Sequence, residues 1–466
     1  MVARSINPQT IDCLRVSEFP RIGFWRFELK PVKLGLLGVG TVGASTALVL
    51  RNNAAEIARR AGRNIEIIQA SRRNVGAGMP AGSGEIELVS DPFTVVNNPE
   101  VDIVIELIGS EDPALELVMR AIENGKHVVT ANKALIALHG NQIFAAAQSR
   151  GVNVVFEAAV AGGIPIIKSI REGLSANHIE SVAGIINGTG NFILSEMRDK
   201  GRDFEDVLAD AQALGYAEAD PTFDVEGIDA AHKLCILSSI AFGIPLQFEA
   251  VYTEGISGVS TEDVVFAGQL GYRIKHLGVA RRSDQGIEMR VHPTLIPEKR
   301  LIANVDGVMN AVLVQADKLG PSLYYGAGAG ADPTASAVIA DIIDVARTIT
   351  TDAQNRVPHL AFQPDQIVDI PILPIAEIQT AYYLRMRVDD RPGVMAEITR
   401  IMGNNDISIE AILQKEPESG VTRATIIMLT QKIREQRMDD AISAITRLDV
   451  VHGDVHRIRV ETLDGD

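Results

Sequence analysis

Residues Val32 to Gly43 read V-K-L-G-L-L-G-V-G-T-V-G, and this stretch decides the fold. An apolar run of strand character passes straight into G-x-G-x-x-G at Gly38, Gly40 and Gly43, and a helical stretch follows from Ala44 to about Arg60. In that order the glycines have mechanical roles: a tight turn, close approach of backbone to a pyrophosphate, and tight packing of helix on strand. The phosphates then sit at the helix N-terminus. The pattern predicts a dinucleotide site at the start of a Rossmann-type α/β domain.

The next strand, Ile65 to Ala70, runs into Ser71-Arg72-Arg73, where an NAD-specific site would carry an Asp or Glu for the ribose hydroxyl. Two guanidinium groups and a hydroxyl suit a 2′-phosphate, which favours NADP and leaves NAD open; solvated loop arginines are the plainer alternative. Arg59, Arg60 and Arg63 extend this local basic patch. A further strand, Val101 to Ile108, ends at Gly109-Ser110, and a helix from about Pro113 leads to H-V-V-T-A-N-K, residues 127–133. Apolar runs without alternation are those of a parallel sheet covered on both faces. Lys133 therefore falls past a strand's carboxyl end, where open parallel sheets bind ligands, although spacing alone fits an exposed loop lysine equally well.

A second informative segment is G-Y-A-E-A-D-P-T-F-D-V-E-G-I-D-A-A-H-K, residues 215–233, which crowds five carboxylates and one lysine against the start of an apolar helix. Asp229 and Lys233 lie at i, i+4 on one helical face, while Leu234 to Phe242 is apolar nearly all round. A surface ion pair needs a polar face that continues down the helix. Here polarity stops after Lys233, which points the charged turns into a cleft. A lysine brought toward neutral pKa by burial can move protons, and Glu218, Asp224 and Asp229 offer acceptors to an ammonium or hydroxyl group. The constellation suits an amino-acid-like ligand.

These segments, together with T-A-N-K (residues 130–133), E-A-A-V-A-G-G-I-P (157–165), I-I-N-G-T-G-N (185–191) and G-A-G-A-G-A-D-P-T-A-S (326–336), resemble the homoserine dehydrogenases. That family interconverts aspartate 4-semialdehyde and homoserine with NAD(P)(H), and the resemblance covers roughly Val32 to Glu377. It implies an oxidoreductase of threonine, methionine and isoleucine biosynthesis, with Lys233 as proton donor to the aldehyde oxygen and Asp229 beside it. It further implies that Lys133 is a second active-site lysine near the nicotinamide, and that Gly215, Glu218, Asp224 and Asp229 hold the substrate. Thr41, Val42, Ser110, Lys133 and Gly330 join Gly38, Gly40, Gly43 and Arg72 as expected cofactor contacts. By resemblance only, a sodium ion is expected at the loop of Glu157, Val160, Gly162 and Ile164, bound largely through backbone oxygens, a ligand type that hard cations accept. Read from its residues alone, that loop is a glycine-rich strand exit. Two departures from the family pattern, Ser110 where a second glycine is common and Gly190 where a threonine is common, change bulk beside the cleft but not the acid/base set.

From Thr380 onward the pattern predicts strand (Tyr383 to Val388), D-R-P-G-V (390–394), helix to about Met402, strand (Ile407 to Gln414), strand (Thr422 to Thr430), helix (Met438 to Leu448) and strand (Val455 to Val460). β-α-β-β-α-β is the ferredoxin-like unit. It resembles an ACT domain, which implies paired copies and an amino-acid effector, with Asp390, Arg391, Pro392, Gly393, Val394 and Asn405 as candidate contacts and threonine as the expected ligand. A module that only joins subunits is the alternative.

At 466 residues the chain exceeds one ordinary domain. The motifs divide it into an N-terminal extension (1–31), an NAD(P)-binding Rossmann domain (32–162, with 326–350 returning as a closing helix), an α+β substrate-binding and dimerisation domain (163–325), a partly extended linker (351–378) and the ACT module (379–466). The extension, which holds Cys13 and the only tryptophan, Trp25, is either an unpacked tail or translation from an upstream start. A formal net charge of -16 argues against nucleic acid and anionic membranes as partners. Two cysteines, Cys13 and Cys235, give no disulfide framework and fit a cytoplasmic protein, and no apolar stretch is long enough to span a bilayer. A homodimer or homotetramer is expected.

Overall fold

The computed structural model describes residues 29–415 and 423–463; most of the N-terminal extension, with Cys13 and Trp25, lies outside them. Strands β1 (Val32–Leu37), β2 (Ile65–Ser71), β3 (Glu87–Val89), β4 (Ile103–Glu106), β5 (His127–Thr130) and β6 (Val154–Val155) form a parallel sheet in the order β3-β2-β1-β4-β5-β6. This is the doubly wound arrangement expected from the glycine motif, and its strands are apolar on both sides because helices cover both. Leu34, Leu36, Ile103, Ile105 and Val129 face one core, and Leu37, Val104 and Val128 the other.

Several boundaries differ from the sequence reading, among them the last helix, Glu435–Thr446 rather than Met438 to Leu448, and two differ for evident local reasons. The helix after β1 runs Thr41–Asn52, breaks at Asn53 and resumes as Ala54–Ala61, because adjacent asparagines compete with the helix for its own backbone groups. β4 ends at Glu106, whose carboxylate accepts the Ile108 amide (2.7 Å) and turns the chain out of the sheet. Helix Ala331–Thr348 packs on Thr41–Asn52 and adds Val338, Ile339 and Ile342 to its core, while Gly326 and Ala327 still belong to a strand.

β7 (Ile179–Ile185), β8 (Tyr252–Thr253), β9 (Tyr272–Ser283), β10 (Gly286–Pro297), β11 (Met309–Ala316) and β12 (Gly320–Ala327) belong to a second, mixed sheet. The C-terminal module follows: β13 (Gln379–Asp389), helix Val394–Asn404, β14 (Ile409–Lys415), β15 (Arg423–Thr430), the short β16 (Ile433–Arg434), helix Glu435–Thr446 and β17 (His456–Val460). Its strands continue the second sheet, in the order β12-β11-β7-β9-β10-β17-β13-β15-β14. β17 pairs in parallel with β10, Leu295 opposite Val460, and antiparallel with β13 on its other side.

This junction also carries buried charge. Arg290 of β10 is wholly buried and donates to Glu288 and Glu461. Arg459 of β17, equally buried, joins Glu435 of the last helix to Glu254 of the catalytic body (2.9 and 2.7 Å). The segment read as a linker is docked as well. The His359 Nε2 accepts the Val154 amide (3.2 Å), the Val368 amide donates to the Gly243 carbonyl (2.9 Å), and Ile372 bridges to Ile287. Among the described residues no helix is long and apolar enough to cross a membrane.

Removing one partner of a buried ion pair leaves an uncompensated charge, which costs about 3–5 kcal/mol. Glu461→Ala should therefore lower the urea midpoint well beyond the effect of an exposed substitution. An unchanged midpoint would mean that the Arg290–Glu461 pair does not hold the module to β10.

Candidate active site

Helix Ile228–Phe242 is buried on nearly every side, so its first turns bring Asp229 and Lys233 into the interior rather than to the surface. The Lys233 Nζ donates to Asp229 Oδ2 (2.6 Å) and to the Ile186 carbonyl at the end of β7 (2.7 Å). Lys133 arrives from the other half, where it opens helix Lys133–Arg150 just past β5, and its Nζ lies 3.1 Å from Asp229 Oδ1. Each oxygen of one buried carboxylate thus faces its own lysine. Burial by itself would raise the Asp229 carboxyl, but the charges of Lys233 and Lys133 and the hydrogen bonds from Lys233 and Asn187 hold it well below the usual range. For Lys233 burial wins, with the Lys133 charge adding to it, and the ammonium is held below its ordinary pKa despite Asp229.

Asp224 is half-buried on the short helix Thr222–Val225 and accepts the Asn187 amide (2.8 Å); burial raises its carboxyl. Glu218 and Gly215 stand apart. Both are exposed, and among the described residues the Glu218 carboxylate has no hydrogen-bond partner. Their loop is tied to helix Gly188–Lys200 through the Thr189 hydroxyl, which donates to the Tyr216 carbonyl (2.6 Å), and through the edge contact of the Phe192 and Tyr216 rings. Asn187 and Thr189 fall in the I-I-N-G-T-G-N motif, but nothing in its spacing shows that this strand exit abuts Asp229. Behind Lys133, His232 stacks on Phe248 with ring centroids 4.3 Å apart, and burial pushes its pKa down to about 4.

The cofactor crevice opens at the carboxyl ends of β1, β4 and β5. Gly38 has φ +93° and a Cβ there would meet the Leu107 carbonyl at 2.7 Å; one on Gly43 would meet the Gly38 carbonyl at 2.1 Å. A Cβ on Gly40 would meet nothing within 4 Å, and no side chain caps the amides that begin with Thr41 and Val42. Free amides facing open space at a helix start fit a pyrophosphate. Gly330 precedes the closing helix with φ +122°. Glu106, wholly buried, accepts the Thr130 hydroxyl (2.6 Å) as well as the Ile108 amide, and so ties the loop bearing Ser110 to the strand leading to Lys133. The Ser110 carbonyl accepts the Asn132 side chain (2.9 Å). Arg72 donates to the Gly78 carbonyl (2.6 Å), and Arg59 and Arg60 both bond Glu56. Arg59, Arg60 and Arg63 precede β2 whereas Arg72 and Arg73 follow it, so the basic residues read from sequence as one patch are split between the two ends of that strand.

At the loop expected to hold sodium, the Glu157 carboxylate accepts the amides of Ile167 and Lys168 (2.9 Å each). Burial, with Asp341 adding to it, pushes its pKa up to about 7. With its side chain occupied, main-chain oxygens of Glu157, Val160, Gly162 and Ile164 are what remain to offer a cation. In the C-terminal module, Asp390 to Gly393 precede helix Val394–Asn404, which Val394 opens, and Asn405 follows it. Eleven residues put these two groups about 16 Å apart, so one copy cannot close both around one small ligand. The Asn405 side chain instead donates to the Ile401 carbonyl (2.9 Å).

Family comparison agrees with this geometry. The model for the homoserine dehydrogenase NAD binding domain matches residues 38–157, that for homoserine dehydrogenase residues 165–343, and that for the ACT domain residues 382–449. The chain is 63% identical over 436 residues to the homoserine dehydrogenase of Pseudomonas aeruginosa, covering 94% of this chain and 100% of the relative. A crystal structure of a homoserine dehydrogenase from Thiobacillus denitrificans matches with TM-score 0.90 and 64% identity over 94% of this chain and 100% of that one. A hyperthermophilic archaeal homoserine dehydrogenase in complex with NADPH matches at TM-score 0.58 and 26% identity, covering 69% of this chain and 98% of that one. A dinucleotide crevice, a lysine–carboxylate–lysine cluster beside it and these matches along the chain lead to one conclusion: the chain belongs to the homoserine dehydrogenase family.

Proposed function

We propose that this oxidoreductase works with NADP in preference to NAD, that Lys233 handles the proton of the substrate oxygen, and that threonine regulates it. The observation that carries the proton role is the lysine–carboxylate–lysine cluster built on buried Asp229. When bound, the nicotinamide supplies or accepts the hydride at the aldehyde carbon. Lys233 donates a proton to the oxygen during reduction and withdraws it from the hydroxyl of homoserine during oxidation. Asp229 holds Lys233 in place, and Lys133 lowers its proton affinity and borders the nicotinamide. Asp224, with Glu218 and Gly215 on the adjoining loop, takes the ammonium end of the substrate.

The NADP preference rests on Arg72, Arg73 and Ser71 at the end of β2, where an acidic residue is missing. A sodium ion at Glu157 to Ile164 would be held by carbonyls. Effector loops at opposite ends of one helix support a site in which Asp390 to Val394 come from one copy and Asn405 from another, and with it a homodimer or homotetramer. Such an enzyme serves threonine, methionine and isoleucine synthesis in the cytoplasm, which two cysteines in 466 residues suit.

Initial rates with homoserine and either nucleotide test the cofactor and effector readings. NADPH should appear faster than NADH, and millimolar threonine should slow it; Asp390→Ala should blunt that inhibition. Rates untouched by threonine would end the sensing role. Lys233→Ala should lower kcat by about 10²- to 10⁴-fold with NADP binding retained, as expected for loss of a proton-transfer group.

The pH dependence has a definite sign. Oxidation requires neutral Lys233, so kcat/KM for homoserine rises as pH climbs through its depressed pKa. Lys133→Met removes a positive charge that lowers this pKa, and the rise should move to higher pH. A limb that stays in place would free Lys233 from any influence of Lys133.

A further inference from the structure

We infer that Asn187 is a positioning residue of this site: its side-chain amide clamps the Asp224 and Asp229 carboxylates side by side and keeps Asp229 turned toward both lysines. The inference rests on the proton role proposed for Lys233. Asn187 follows β7, is 5% exposed, and caps helix Gly188–Lys200 by accepting the Gly190 amide at its Oδ1 (2.7 Å). That bond fixes the amide plane, and the Nδ2 then spends one hydrogen on Asp224 Oδ1 (2.8 Å) and the other on Asp229 Oδ2 (2.8 Å). The opposite orientation is excluded on the hydrogen-bond pattern, because it would set an oxygen against two carboxylates and an amino group against a backbone N–H.

The geometry explains why an amide stands here. Asp229 Oδ2 is shared between Asn187 and Lys233, and Oδ1 faces Lys133, so each bond restrains the rotation the others need. Two carboxylates bonded to one nitrogen repel each other, and two donors on a neutral group offset that repulsion without adding charge. The charges then balance, with Asp224 and Asp229 against Lys133 and Lys233. The remaining titratable groups facing the cluster are His232 on the same helix and His276 on β9, both held neutral by burial, with Glu226 and Glu254 beyond His276 and Glu111 beyond His232.

Asn187→Asp is the informative substitution. Aspartate is as good a helix cap as asparagine and has its shape, so the fold and the Gly190 bond persist while both donors are lost and a third carboxylate enters. Hydrogen bonds to charged groups are worth enough that kcat for homoserine oxidation should fall by about 10- to 100-fold. The added negative charge should also move the alkaline rise of kcat/KM to higher pH, and the thermal midpoint should fall because two buried carboxylates lose their donors, while NADP binding stays close to wild type. Asn187→Ser keeps the cap but cannot span both carboxylates. It should lower kcat without moving the alkaline limb, which separates loss of alignment from added charge. A folded Asn187→Asp variant that binds NADP and keeps the wild-type kcat and pH limb would overturn the inference, as would Asn187→Asp and Asn187→Ser variants with identical profiles. Failure of the Lys233 assignment reads out separately, as an alkaline limb that survives Lys233→Ala. The positioning role would then stand on the kcat and homoserine KM of Asn187→Asp, and wild-type values there would end it.

Discussion

One buried carboxylate organises this molecule. Asp229 receives Lys233 from its own helix, Lys133 from the nucleotide-binding half and Asn187 from the end of β7. A charge in that position is tolerated only because three separate elements deliver donors to it, and withdrawing any one of them leaves a desolvated ion short of a partner. Alignment of the two halves and the placing of the Lys233 ammonium are therefore the same interaction. It also sets the proton affinity of Lys233, since burial lowers it, Asp229 restores part of it and Lys133 removes some again.

The same economy appears where the C-terminal module meets the catalytic body. A module appended on a flexible tether could move freely, but β17 lies between β10 and β13 in one sheet, and Arg290 and Arg459 are wholly buried across the joint. From Arg459 the contacts lead to Glu254, whose carbonyl is 3.0 Å from the His276 Nε2, and the His276 ring packs against Gly227, the residue that begins the helix of Asp229. The module is thus within three contacts of the helix that carries Asp229 and Lys233. A chain cut near Glu377 would strip β17 from β10 and leave Arg290 without Glu461, so a truncated form carries a damaged sheet as well as lacking the ACT module.

Much of this was legible in the residues because the relevant physics is local. Glycines that must approach backbone, apolar runs that must be covered on both faces, and an i, i+4 pair at the head of an all-apolar helix each announce their structure within a few positions. The Rossmann sheet, the ferredoxin-like unit and the burial of Lys233 followed from such patterns. Boundaries slipped where a side chain competes with the backbone, at Asn53 and Glu106.

What the chain does not announce is which distant segments share an atom. Sequence determined that Lys233 and Asp229 lie on one buried face and that a dinucleotide crevice precedes them, because helix periodicity and turn sterics are properties of short windows. Only the tertiary structure decided that Lys133 shares Asp229, that Asn187 bridges two carboxylates, and that the last strand completes the catalytic sheet. Those contacts join residues roughly forty to over a hundred and sixty positions apart, and burial of charge rewards them only once the whole core has closed.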